Sequence, residues 1–201
     1  MSPKVTEEYK ENRKLELLQV AREVFIEKGF ESTTMKDIVE KSGLSRGGVY
    51  QYFSSTEEMY REIVELGDKK NIKRFEEIIH SDIPIWNTLV EMVEGYRHID
   101  IPNFGTVQFE YSVNGWRNQE RLSYILDRSV TWRNMYNELL EEGVKRGEFY
   151  PKLPISAIAD FLLNVLDGLL LYHCFGGTTI MDIEGQVDSL VFYLEKVLLE
   201  K

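Results

Sequence analysis

Apolar side chains recur at steps of three and four residues along almost the whole chain, which is the spacing of one face of an α-helix. The clearest case is residues 10–28, where Leu15, Leu18, Ala21 and Phe25 form such a face. Proline and glycine separate the later segments, and no Asn-Gly or Asp-Gly hairpin lies between alternating apolar residues. The pattern therefore predicts an all-α protein of about nine helices. Further helices are predicted near 34–42, 45–52, 56–80, 84–99, 103–114, 118–146, 155–175 and 183–199.

Two adjacent glycines, Gly47 and Gly48, stand in the stretch SRGGVYQYF. In a helix interior each glycine costs about 0.5–1 kcal/mol relative to alanine. One interpretation is a Gly-Gly turn into a strand at 49–53. The neighbouring residues KSGLS are too short and polar to pair with that strand, and an unpaired strand is not stable. A frayed surface turn is a second interpretation.

A helix-turn-helix is the third interpretation. A helix over 34–42 would end at Gly43, and a second short helix would begin after the cap residue Ser45. Its first turn would then present Arg46 and a surface without side chains. Such a surface can come close to phosphates or base edges.

The sequence TTMKDIVEKSGLSRGGVYQYFSSTEEMY, together with the upstream LLQVAREVFIEKGFESTT, resembles the DNA-binding region of the TetR (tetracycline-repressor-like) family of transcriptional regulators. The resemblance covers about residues 13–65. It implies a DNA-binding domain at 11–71, with the helix-turn-helix at 34–53, and a helical effector-binding and dimerisation domain at 72–201. It also implies a cytoplasmic homodimeric repressor that leaves a roughly palindromic operator when a small hydrophobic effector binds.

Carried over by position, the resemblance assigns DNA contacts to both helices of the motif. Arg46 is the main candidate for reading a base, because arginine bonds guanine bidentately; a phosphate contact is the alternative for this residue. The contacts implied are Thr34, Lys36, Ser45, Arg46, Gly47, Gly48, Tyr50, Gln51 and Tyr52. Two positions depart from the family pattern: Gly48 replaces a small side chain, and Thr56 replaces a phosphate-binding lysine.

Aromatic residues are dense between positions 86 and 136 and predict either ordinary core or the lining of an apolar effector pocket. Glu94, His98, Glu110 and Asn114 are possible polar groups of that pocket, and an aromatic, partly acidic cavity would suit hydrophobic or cationic molecules. The pocket residues expected are Trp86, Tyr96, Phe109, Tyr111, Trp116, Trp132 and Tyr136.

Two strongly apolar helices near the C-terminus predict either closure of the monomer core or a four-helix dimer interface. The first contains LDGLLL, which is similar to the dimerising helix of the family. The interface residues expected are Asn164, Asp167, Gly168, Leu171, Val191 and Leu194. Polar residues within the first of these helices disfavour a membrane span.

The net charge of −10 belongs entirely to residues 57–201, because residues 1–56 contain nine basic and nine acidic residues. A neutral DNA-binding domain remains compatible with DNA if its cations face one way. The single cysteine, Cys174, excludes an internal disulfide. No nucleophile, phosphate-loop, dinucleotide or zinc motif occurs, so we expect no enzyme, no cofactor and no metal site.

Overall fold

The computed structural model describes residues 7–200, and all regular structure among them is helical. This confirms the all-α prediction. A single 3₁₀ turn lies at Gly177–Thr179. The helices are α1 (Glu7–Lys28), α2 (Met35–Ser42), α3 (Arg46–Tyr50), α4 (Thr56–Ile79), α5 (Ile85–Glu94), α6 (Phe104–Gly115), α7 (Gln119–Lys145), α8 (Ile155–Cys174) and α9 (Ile183–Leu198).

The predicted helix at 84–99 extends five residues too far at its C-terminal end, because α5 ends at Glu94. The chain turns after that point, and the Arg97 guanidinium donates hydrogen bonds to the carboxylates of Glu184 (2.7 Å) and Asp188 (2.6 Å) on α9. These bonds connect residues about ninety positions apart. The periodicity of the local sequence therefore could not predict that these hydrogen bonds keep residues 95–99 out of the helix.

The chain divides into two compact units that do not follow one cut in the sequence. The first unit takes the described residues up to Lys70 together with Pro102–Tyr111, and the second takes Asn71–Ile101 and the described residues from Ser112 onward. The boundary predicted at 71/72 would assign residues 102–111 to the C-terminal domain, whereas these residues pack with the first unit. Both α4 and α6 therefore contribute residues to each unit.

The core of the first unit is built on one face of α1. Leu17, Leu18, Ala21, Val24 and Phe25 are buried, and they share the core with residues of α2, α3 and α4. Leu15 was expected on this face, but its side chain is 43% exposed. The buried face is therefore rotated toward Leu17 and Val24, which flank the predicted stripe.

An aromatic cluster joins the start of α6 to this core. The Tyr111 ring stacks on Tyr60 with 4.1 Å between centroids and meets Phe30 edge-on at 4.9 Å. Phe104, also on α6, lies 5.9 Å from the Tyr60 ring. Aromatic pairs at such distances add to the free energy gained by burial alone. This cluster explains why residues 102–111 belong to the N-terminal unit.

The core of the second unit is formed by the apolar faces of α5, α7, α8 and α9. Its fully buried side chains include Leu89, Leu139, Leu162, Val187 and Leu194. By length and composition, α8 could cross a membrane, and it is the one helix of residues 7–200 that meets this test. Within the unit, however, five residues of α8 are buried in the core.

Candidate functional site

The α2–α3 motif is held by caps and a tight turn. Thr34 accepts a hydrogen bond from the Asp37 backbone, and the Asp37 carboxylate accepts one from the Thr34 backbone, which makes a capping box. Hydrogen bonds from Lys28 and Thr34 hold the pKa of Asp37 below its usual range. Gly43, at φ +67°, then ends α2 in the left-handed region that glycine tolerates best.

Ser45 caps α3, as the sequence predicts. Its hydroxyl accepts a hydrogen bond from the Gly48 backbone N–H at 3.1 Å. α3 itself covers Arg46–Tyr50 rather than 45–52, and Val49 is its fully buried residue. The segment is therefore helical, which excludes both a strand at 49–53 and a frayed turn. One side of α3 anchors it to the core and leaves the other side to solvent.

The outer side of α3 is nearly without side chains at its start. A Cβ atom added to Gly47 would meet no atom within 4 Å, so this glycine borders open space. Arg46 is exposed, and its guanidinium carbon lies 5.1 Å from the centre of the Tyr50 ring. A stacked aromatic ring limits the directions in which an arginine can point. Arg46 is thus displayed beside a flat glycine surface.

The other residues expected to contact DNA differ in how exposed they are. Lys36 on α2 is highly exposed, and its ammonium lies 3.6 Å from the Glu40 carboxylate. Gln51 and Tyr50 are exposed, whereas Tyr52 is half-buried. Thr56 is the first residue of α4 and does not cap it.

Ser54 and Ser55 provide the start of α4 instead. The Ser55 hydroxyl accepts a hydrogen bond from the Glu58 N–H (3.1 Å), and the Glu58 carboxylate accepts one from the Ser54 N–H (2.7 Å). The hydroxyl of Thr56 is therefore not needed for helix capping.

Two packed helices joined by a glycine turn, with a short basic second helix exposed, define a helix-turn-helix DNA-binding protein. Residues 17–63 match the family model for bacterial regulatory proteins of the tetR family, and residues 86–184 match the tetracyclin repressor-like C-terminal domain. The chain is 43% identical to the HTH-type transcriptional regulator YfiR of Bacillus subtilis, over 98% of both chains. It is 28% identical to the HTH-type transcriptional repressor KstR2 of Rhodococcus jostii, over 86% of this chain and 85% of that one.

A solved structure has the same fold. A regulator from Saccharomonospora viridis in complex with choline superposes with a TM-score of 0.78 at 18% identity, covering 95% of this chain and 100% of that one. The chain belongs to the TetR family of transcriptional regulators. It is a DNA-binding transcriptional repressor whose C-terminal domain binds a ligand.

A cavity of about 580 Å³ lies in the second unit, lined by the C-terminal end of α4, by α5 and by α7. Of the seven aromatic residues expected in an effector pocket, Tyr96, Trp132 and Tyr136 line it. Phe75 of α4 and Met92 of α5 also line it, and the sequence argument missed both. Phe75 precedes the aromatic-rich stretch. Met92 is not aromatic, so composition gave no signal for it.

The other four aromatic residues are not among the lining residues. Trp86 is half-buried and packs against the core of the second unit. Tyr111 is buried in the aromatic cluster of the first unit, where Phe109 is half-buried. Trp116 is 59% exposed at the end of α6. Tyr111 in particular contributes to the core of the DNA-binding unit, which corrects its assignment to the pocket.

The polar groups expected in the pocket also have other roles. The Glu110 carboxylate accepts hydrogen bonds from the backbone N–H groups of Phe30 (3.0 Å) and Glu31 (3.2 Å) in the first unit. The Glu94 carboxylate binds Arg97. His98 and Asn114 are exposed.

The two tyrosines of the cavity are strongly desolvated. Burial, together with the negative charge of Asp167 on α8, raises the pKa of Tyr96 above its ordinary value. Burial also raises the pKa of Tyr136, with smaller contributions from Tyr96 and Asp167. Both phenols are therefore neutral at physiological pH and can act as hydrogen-bond donors.

The residues expected at a dimer interface are only partly on the surface. Asn164 and Asp167 of α8 are exposed, while Gly168, Leu171 and Val191 are half-buried. Leu194 is 0% exposed and belongs to the core of the second unit, which corrects its assignment. The exposed apolar residues of α8 and α9 are Phe161 and Phe192. In residues 7–200 no cluster of three potential metal ligands occurs.

Proposed function

We propose that α3 enters the major groove of the operator and that Arg46 reads a guanine there. The observation that carries this proposal is the exposed Arg46 beside Gly47, where the helix surface has no side chain. A surface of this kind lets the backbone approach base edges, and the ring of Tyr50 orients the guanidinium. A bidentate arginine–guanine contact contributes about 1–3 kcal/mol of discrimination.

The test is operator binding by fluorescence anisotropy, with a binding site first selected from genomic fragments. We expect Arg46→Ala to lose specific binding and Arg46→Lys to lose guanine discrimination while keeping part of the affinity. Arg117→Ala removes the same charge from an exposed position in the second unit and should bind normally. Equal discrimination by wild type and Arg46→Lys would show that Arg46 contacts phosphate instead.

We further propose a homodimer that binds a roughly palindromic site. Two recognition helices reach successive major grooves when their centres lie about 34–36 Å apart, or a multiple of that distance. The exposed Phe161 and Phe192, with Asn164 and Gly168 along the same face of α8, form the surface that we assign to dimerisation. Adding a Cβ to Gly168 meets no atom within 4 Å, so a partner helix can approach closely there.

The cavity of the second unit is the site that we assign to the effector. α4 supplies Asn71, Arg74 and Phe75 to its lining, and the same helix supplies core residues to the DNA-binding unit. A ligand that prefers one orientation of α4 would change operator affinity in proportion to its differential affinity. We propose that the protein is a cytoplasmic repressor that acts by binding and release, without catalysis.

A further inference from the structure

The effector cavity is lined by aromatic rings that stand at steep angles to one another. The Phe75 ring lies 6.4 Å from Trp132 and 5.7 Å from Tyr136, with interplanar angles of 81° and 72°. Rings in such an arrangement present both faces and edges. The face of an aromatic ring attracts positive charge. The guanidinium of Arg128 already lies 5.9 Å from the Trp132 ring centre.

The charged groups of the cavity are mostly acidic. Glu77 and Glu91 line it, and among its described lining residues Arg74 is the one cation. Arg74 is largely exposed and lies 3.8 Å from Glu91, so an anionic ligand would have to compete with that carboxylate. The cavity also lies in the acidic part of the chain, since residues 71–101 and 112–201 contain 12 basic and 19 acidic residues.

Asp167 extends this negative charge toward the tyrosines. Its charge raises the pKa of Tyr96 and Tyr136, so its field reaches both phenols. Desolvation raises the pKa of Asp167 itself, and the positive charge of Arg128 opposes this shift only in part. The Asp167 side chain is nevertheless exposed, so it adds to the acidic character of this unit without lining the cavity.

From this geometry we propose that the ligand of the cavity is an organic cation with an apolar or aromatic body. The Trp132 face and the two tyrosines contact its charged group, with the lining carboxylates Glu77 and Glu91 as its counter-ions. Phe75 and Met92 contact its apolar body. The proposal rests on the effector function proposed above and names the class of ligand. The volume falls within the usual range for small-molecule sites, roughly 300–1,000 Å³.

Three probes with the same naphthylmethyl body separate charge from hydrophobicity. They are (2-naphthylmethyl)trimethylammonium, its neutral isostere 2-neopentylnaphthalene, and the anion 2-naphthylacetate. Equilibrium dialysis against the full chain measures the affinity for each. We expect the cation to bind at least about tenfold more tightly than the neutral isostere, as expected for a cation in a desolvated aromatic site. Equal or tighter binding of either other probe, or no binding of the cation, would overturn the proposal.

Variants locate the effect in the cavity. Glu77→Gln and Glu91→Gln should each weaken binding of the cation several-fold and leave binding of the neutral isostere unchanged. Trp132→Leu should weaken binding of the cation more than binding of the neutral isostere, because leucine keeps the apolar contact but has no ring face. Glu138→Gln, an exposed carboxylate on α7 outside the lining, is the control and should bind the cation normally. If Glu138→Gln weakens binding of the cation as much as the variants of lining residues do, the general charge of the protein rather than the cavity explains the preference for a cation.

Operator binding in the same samples distinguishes the two proposals. A cation that binds with the expected selectivity and dissociates the operator complex supports both. Selective binding of the cation without any change in operator affinity overturns the effector role of the cavity and leaves the ligand class intact. Operator release by the neutral isostere alone supports the effector role and overturns the ligand class.

Discussion

Glu110 shows how a single carboxylate can be assigned to the wrong task from sequence. It lies on α6 in an aromatic-rich stretch and was expected to face an effector. In the structure it accepts hydrogen bonds from two backbone N–H groups just after α1, about eighty residues away. A Cβ at Gly29 would lie 2.6 Å from this carboxylate, and Gly29 has φ +78°. The backbone conformation therefore favours glycine there, and a Cβ would also displace the Glu110 carboxylate from this position.

We expect Glu110→Ala to destabilise the protein by about 1–3 kcal/mol, because the partly buried N–H of Phe30 and the exposed N–H of Glu31 lose this acceptor. Glu110→Gln keeps one side-chain oxygen and should cost less. Urea denaturation measures the loss, and hydrogen exchange should be faster at Phe30 and Glu31 in the alanine variant. The exposed Glu138→Ala is the control and should change stability little. Unchanged exchange at both amides would show that the carboxylate is not holding this loop.

The helices themselves were largely predictable, because their ends are marked by local chemistry. Thr34, Ser45 and Gly43 have the capping roles that their residue types favour. The direction in which each helix faces was less predictable, since it depends on partners distant in sequence. Leu15 and Leu194 illustrate this: both fit an apolar stripe, yet the first is exposed and the second lies inside the second unit.

α9 supplies a direct test of the interface at the scale of one helix. Phe192 is 59% exposed and Leu194, two residues away, is 0% exposed. We expect Phe192→Asp to give a folded monomer, because the charge opposes burial at the dimer surface. Leu194→Asp should unfold the second unit, because a buried leucine is lost, at about 2–5 kcal/mol for truncation alone, and an unpaired charge is added.

Light scattering and circular dichroism of both variants distinguish surface from core. A folded monomer from Leu194→Asp would place the interface on the opposite side of α9. A persistent Phe192→Asp dimer would assign dimerisation to another surface.

The whole molecule combines an N-terminal segment without net charge, which includes the helix-turn-helix, with an acidic remainder that includes the ligand-binding part. Residues 1–56 have no net charge, so attraction to DNA depends on where cations are displayed rather than on their number. Arg46 and Lys36 are both exposed on the helix-turn-helix. The two-unit organisation was predicted from the resemblance. The inclusion of residues 102–111 in the first unit was not, because it depends on the stacking of Tyr111 on Tyr60.

The central claim is that α3 has glycines so that a nearly bare helix surface can contact DNA. Gly47 gives the cleanest test, because an added side chain meets open space in the free protein. We measure thermal stability and operator affinity for Gly47→Ala and Gly47→Gln. The account predicts equal or higher stability, since helix propensity improves by about 0.5–1 kcal/mol, together with operator affinity that falls as the side chain lengthens. Unchanged operator affinity for Gly47→Gln in a stably folded protein would contradict it.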